Sequence, residues 1–310
     1  MGNDRDGAPG RRQDHRAVGL LRFLRGGPPP SQSGSISIRT AIRLGSLTMA
    51  DLSPVPDYAG LMRLDDKGFI VLGAGQGMGR QSSHALAQMG AKVFCVDLEQ
   101  ERADQVANEV DGTPWVADIT KRDEVQTLVD EAGRAMGSVD GIVDIVGVSG
   151  WSGVLDIDDA EWDWQFDMVL RHAYLISQIA GRAMKETGGG TMVFIASVSG
   201  LTAAPNHAHY GAAKAGLMAW MQSVAIELAP YGIRANCVAP GTILTPRMEA
   251  LFDDERRAIN NAAVPLGHMG VPSDIAGAVL FLSAPISNFI SGRTLVVDGG
   301  VDSDFPYDPM

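Results

Sequence analysis

Ser197, Tyr210 and Lys214 have the types and the spacing of a proton relay. Tyr210 and Lys214 stand at i and i+4, on one face of a helix, and Ser197 precedes the tyrosine by thirteen residues. A tyrosine with a reference pKa near 10 must shed about three units to act as a base at neutral pH, which requires about 4 kcal/mol. One ammonium about 4.5 Å away supplies roughly that much at an effective dielectric near 20. Ser199 is the nearby alternative to Ser197 as the serine of the relay. Upstream, Leu72 to Arg80 holds a glycine-rich turn of Gly73, Gly77 and Gly79, with Gln76 and Met78 between them. Such a turn lets the backbone adopt φ above zero and leaves room for a pyrophosphate, while the helix that follows offers unpaired N–H groups to the charge. A dinucleotide beside a proton relay points to hydride transfer between a carbinol and a nicotinamide.

The glycine spacing is G-x-x-x-G-x-G, and taken alone it also suits a structural turn. Asp97 sharpens it. It ends the second strand 18 residues after Gly79, where a carboxylate can accept hydrogen bonds from an adenosine ribose and repels a 2′-phosphate. NAD is therefore expected in preference to NADP, a solvated strand-end Asp97 being the plain alternative. Asp118, at the end of the third strand, is placed for the adenine edge or for capping the helix that begins at Lys121. Leu98 and Ile119 adjoin these two carboxylates and join the cofactor candidates.

The elements that must position these residues alternate. Strands are expected over Gly68 to Leu72, Lys92 to Val96, Thr113 to Val116, Gly141 to Gly147, Thr191 to Ala196, Ile233 to Val238 and Thr294 to Val297. Helices are expected over Gly79 to Met89, Glu99 to Val110, Lys121 to Met136, Asp159 to Glu186, Ala208 to Leu228 and Asp274 to Ser283. Alternation of this kind predicts an α/β fold, a single Rossmann-like, doubly wound parallel sheet flanked by helices on both faces. Cys95 and Cys237 fall on the second and sixth strands, three strands apart in the usual order, so no disulfide is expected and a reducing, cytoplasmic compartment fits.

The chain has 310 residues and a net charge of −12. Eight arginines against three aspartates in residues 1 to 48 give a local +5 and leave −17 for the remainder. An acidic body argues against nucleic acid as partner, and no apolar run is long enough to span a membrane. Residues 1–60, with Gly-Gly-Pro-Pro-Pro at 26 to 30, read as a disordered extension. It is a tail or upstream region with Met49 as the real start, a targeting peptide, or a partner-binding arm. The catalytic and dinucleotide-binding domain is expected over 61–303 and a short tail over 304–310.

From about Lys67 to Gly300 the sequence resembles the short-chain dehydrogenase/reductase family. The resemblance rests on the glycine turn, Asp97, Asp118, Ser197, Tyr210-Gly211-Ala212-Ala213-Lys214, Asn236, Pro240-Gly241-Thr242-Ile243-Leu244-Thr245 and Val297-Asp298-Gly299-Gly300. It implies an NAD(P)-dependent oxidoreductase, commonly a homotetramer. Ser197 would hold the substrate oxygen and Tyr210 would exchange the proton, while Lys214 would bind the nicotinamide ribose and lower the tyrosine pKa. Gly147, Pro240, Gly241, Ile243 and Thr245 would complete the cofactor site, Ile243 and Thr245 holding the carboxamide. Three departures stand out. Leu72 replaces a common Thr, and Asp144-Ile145-Val146-Gly147 replaces Asn-Asn-Ala-Gly, so Asp144 must supply or forgo the hydrogen bonds of the Asn. Val169 stands where the family carries a catalytic Asn, which predicts impaired or rewired proton exchange rather than inactivity. Arg171 and His172 lie too far round an α-helix to take over that job.

Ser149, Gly150, Trp151, Leu201, Thr202, Ala203, Pro205, His207, His209 and a lid-like segment from Pro246 to Phe252 are expected on the substrate side. The set is mainly apolar and suggests a small hydrophobic secondary alcohol or ketone. His207 and His209 lack nearby carboxylate or cysteine partners in sequence, so no metal site is expected. Trp162 and Trp164 suit packing or a subunit contact. The competing reading is a dinucleotide-binding protein of the same fold, catalytically weakened and used in regulation or assembly.

Overall fold

In the computed structural model, which describes residues 53–303, seven strands pair side by side. They are β1 (Gly68–Leu72), β2 (Lys92–Asp97), β3 (Thr113–Val116), β4 (Gly141–Asp144), β5 (Gly190–Ile195), β6 (Ile233–Pro240) and β7 (Thr294–Val297). All neighbours are parallel, in the order β3-β2-β1-β4-β5-β6-β7. The helices are α1 (Gly77–Gln88), α2 (Gln100–Val110), α3 (Arg122–Met136), α4 (Asp159–Phe166), α5 (His172–Thr187), α6 (Ala208–Leu228), α7 (Pro246–Leu251), α8 (Asp254–Ala262) and α9 (Pro272–Ser283). This is the doubly wound α/β fold that the alternation predicts. The compact unit begins at Pro56. The readings of residues 1–52 and 304–310, Met49 among them, lie outside the described residues.

Parallel strands covered on both faces read as continuous apolar runs, and β1 is buried along its whole length. Its side chains alternate between two cores. Phe69 and Val71 join Leu86, Val106, Ile275 and Val279 from α1, α2 and α9, whereas Ile70 and Leu72 join Leu128, Leu175, Ile176 and Leu217 from α3, α5 and α6. Cys95 on β2 and Cys237 on β6 are buried and free, with β1, β4 and β5 between them.

Three departures from the expected elements bear on function. β4 stops at Asp144 instead of running to Gly147, because the Asp144 Oδ1 accepts the Val146 N–H at 3.0 Å and turns the chain. The helix expected over Asp159 to Glu186 is broken by a five-residue π-turn, Asp167–Arg171, between α4 and α5. The lid-like segment contains α7, capped by Thr245 with Pro246 in its first turn, and α8 follows, capped by Asp253.

Candidate active site

The glycine turn links β1 to α1, and its geometry explains the residues. Gly73 and Gly77 have φ of +76° and +54°, the left-handed region that glycine occupies without a Cβ penalty. A Cβ on Gly79 would run into the carbonyl oxygen of Gly73, so that glycine sets how closely α1 approaches the strand end. At the end of β2 the Asp97 carboxylate holds the turn from outside, with Oδ2 accepting from Gly75 N at 3.0 Å and Oδ1 from Glu99 N at 3.2 Å. A Cβ on Gly75 would lie 2.5 Å from Asp97 Oδ2, so this glycine, which was not among the sequence candidates, permits the contact.

Above these groups lies a cleft of about 310 Å³. Gly73, Gln76, Gly77, Met78, Asp97, Leu98, Asp118, Ile119, Gly147 and Thr245 all line it, ten of the residues singled out from the sequence. A crevice at the carboxyl ends of parallel strands, beside a glycine turn and a helix N-terminus, fits a dinucleotide. Asp118 does not cap α3. Its Oδ1 accepts from the Thr120 N–H and hydroxyl at 3.0 and 2.6 Å, its Oδ2 lies 3.2 Å from Lys121 Nζ, and these partners hold its carboxyl below the ordinary range. Pro240, Gly241 and Ile243 are not in the cleft lining. Gly241 packs against Asp298, where a Cβ would lie 2.8 Å from that side chain, and Ile243 is buried and bridges to Gly270. Val148 and Met168 also line the cleft, with nothing in their types or spacing to single them out, as do Val146 of the altered strand end and Arg247 of the lid-like segment.

Ser197 follows β5 and accepts from Ser199 N at 3.1 Å. It is also the hydrogen-bonding neighbour acting on the Tyr210 phenol, whereas the Ser199 hydroxyl lies 3.3 Å from His207 Nδ1. Lys214 Nζ is 5.7 Å from the Tyr210 ring centroid and donates to the Ile195 carbonyl at 2.5 Å. The net direction at the tyrosine is opposite to the lowering expected of Lys214. Burial pushes the phenol up to about 12 against the Ser197 hydrogen bond. Lys214, 2% exposed, is itself lowered to about 8 by burial, with Asp144 and then Cys237 acting in the opposite sense. A phenol held protonated at neutral pH suits donation of the proton to a carbonyl oxygen.

His172, set aside as a stand-in for the family's Asn, makes a contact that the sequence did not foretell. The π-turn adds a residue, and His172 at the start of α5 faces inward, with Nδ1 2.8 Å from Asp144 Oδ2 and Nε2 3.2 Å from the Met168 carbonyl. Val169 lies in the π-turn and is fully buried. On the substrate side, His207 is stacked between Trp151 and Tyr210, at centroid distances of 3.9 and 4.6 Å. Burial, with His209 adding to it, lowers the His207 pKa. His209 is wholly buried, packs beneath Gly150 and lies 3.3 Å from Glu161, so it is not a wall of the pocket. Thr202, Ala203 and Pro205 are exposed. Among the described residues, no group of three or more His, Cys, Asp or Glu side chains converges as a metal site would require.

Residues 73–302 match a family model described as enoyl-(acyl carrier protein) reductase. The L-rhamnose 1-dehydrogenase (NAD(P)(+)) of Azotobacter vinelandii is 39% identical over 251 residues, covering 77% of this chain and 98% of that protein. The 3-oxoacyl-[acyl-carrier-protein] reductase of Thermotoga maritima is 31% identical over 245 residues, covering 77% of this chain and 99% of that protein. Among solved structures, a 7α-hydroxysteroid dehydrogenase complexed with NADH and 7-oxo glycochenodeoxycholic acid superposes with a TM-score of 0.74 at 30% identity, over 78% of this chain and 96% of that one.

Proposed function

The chain belongs to the short-chain dehydrogenase/reductase family, and from that premise we propose an NAD-dependent enzyme that interconverts a secondary alcohol and its ketone. The observation that carries the reading is Tyr210 at the meeting of three groups: the Ser197 hydroxyl, the Lys214 ammonium 5.7 Å from its ring, and the stacked His207. A nicotinamide, when bound, supplies the carbon that gives or takes hydride. Ser197 orients the substrate oxygen and Tyr210 gives it the proton in the direction of reduction. Lys214 stabilises the phenolate that is left.

NAD is favoured over NADP by the Asp97 carboxylate at the end of β2. Two arginines near the glycine turn, Arg80 and Arg102, are held by Glu109 and Glu99 at 2.6 and 3.1 Å, which leaves less cationic character for a 2′-phosphate. The relatives are named for a sugar, an acyl thioester and a steroid, so kinship alone leaves the substrate open. Exposed Trp151, Val154 and Leu155 on one loop, with exposed Leu201, support a substrate with an apolar face. The family premise also carries a homotetramer and a cytoplasmic location as proposals. Among the described residues, no helix is long and apolar enough to cross a membrane.

Conversion of Tyr210 to Phe tests the reading. NADH-linked turnover of the best ketone should fall by about 10² to 10⁴-fold with NADH affinity retained. Turnover within a few-fold of wild type would remove Tyr210 from the chemistry. A wild-type protein that binds NADH but acts on no alcohol or ketone would favour the binding-protein reading.

A further inference from the structure

Asp144 and His172 are each 1% exposed and joined at 2.8 Å, and the proton transfer at Tyr210 uses neither. The two carboxylate oxygens have separate partners. Oδ1 accepts the Val146 N–H and so fixes the turn that carries Gly147. That glycine lies against the lysine, since a Cβ placed on it would be 2.9 Å from Lys214 Nζ. Oδ2 faces His172 Nδ1, and His172 Nε2 faces the Met168 carbonyl in the π-turn, so the imidazole ties β4 to the start of α5. Lys214 donates to the neutral Ile195 carbonyl, and a buried ammonium needs a counter-charge as well as a hydrogen bond. The titratable groups whose charge acts on it are Asp144 of β4 and Cys237 of β6, with the Tyr210 ring of its own helix 5.7 Å away. Of these, Asp144 is the one carboxyl group.

We propose that the buried Asp144–His172 pair is the positioning unit of Lys214. Asp144 fixes the turn against which Nζ packs and supplies the counter-charge that keeps it an ammonium, and His172 holds the carboxylate in place. This rests on the dehydrogenase reading for its consequence in turnover, but not for the ionisation it describes.

The test compares wild type, D144N and H172Q in two measurements. Asparagine at 144 still offers an oxygen to Val146 N but carries no charge, and glutamine at 172 still donates to Asp144. The first measurement is the pH profile of kcat for ketone reduction, whose alkaline limb follows loss of the Lys214 proton. In D144N that limb should move down by about one pH unit or more, the size expected when a nearby opposite charge is removed. In H172Q it should stay within about half a unit. The second is the ionisation of Lys214 itself, followed by NMR of its ε-carbon against K214M, which requires no turnover. It should move down in D144N. Unchanged profiles in D144N, with only a lower Tm, would overturn the proposal and leave the pair a structural contact. A shifted Lys214 ionisation in a protein that turns over no alcohol or ketone would sink the dehydrogenase reading and keep this one. Should D144N not fold, H172L replaces it: titrations displaced from those of H172Q support the proposal, and coincident ones overturn it.

Discussion

Replacing Lys214 by Met removes one charge from beside Tyr210 and nearly preserves the volume. With Nζ 5.7 Å from the ring centroid, an ammonium and a phenolate attract by about 3 kcal/mol at an effective dielectric near 20. That is about two powers of ten in rate if the attraction is felt only once the phenolate forms. Folding should survive. Burial lowers Lys214 from 10.5 to about 8, so removing the charge relieves about 3 kcal/mol. The Ile195 carbonyl loses its donor, which costs about 1–3 kcal/mol and roughly offsets the gain. The assay is NADH-linked ketone reduction at pH 7 under saturating cofactor, alongside a thermal melt. The expected result is a kcat lower by about 100-fold with Tm within about 5 °C of wild type. A kcat within five-fold of wild type would refute the electrostatic argument. A raised KM for NADH with unchanged kcat would make Lys214 a cofactor ligand and nothing more.

Conversion of Asp97 to Ser removes the proposed ribose acceptor and its repulsion of a 2′-phosphate. The ratio of kcat/KM for NAD to that for NADP should fall by at least about 10-fold, the lower end for a hydrogen bond to a charged group. An unchanged ratio would reduce Asp97 to a brace for Gly75. Gly79→Ala should lower stability by about 3 kcal/mol, because its Cβ meets a backbone carbonyl that cannot swing aside. The urea midpoint reads it, and an unaltered midpoint would show that α1 is free to shift.

What could be read from residue types and spacing follows from the range of the forces involved. The strands β1, β3 and β7 and the helix α6 end where the sequence pattern places them, because apolar periodicity and turn residues act over a few positions. The glycine turn was legible for the same reason, its residues being neighbours in both sequence and space. Pro240, Gly241 and Ile243 were placed by resemblance, and their side-chain space is governed by Asp298 and Gly270, partners far along the chain. The contact of His172 with Asp144 joins residues 28 apart across a π-turn, which spacing along a regular helix does not show. Helices α7 and α8 are short and lack an apolar stripe. Their Thr245 and Asp253 caps were visible signals that periodicity alone does not score.

One surplus residue in Asp167–Arg171 sets the rotation of everything that follows it in the helix. A π-turn behaves like a single-residue insertion absorbed inside a helix, advancing everything beyond it by about 100° of rotation. Deleting any one of the five would return the helix to regular winding and swing His172 off Asp144, even though every side chain of the pair survived in the sequence.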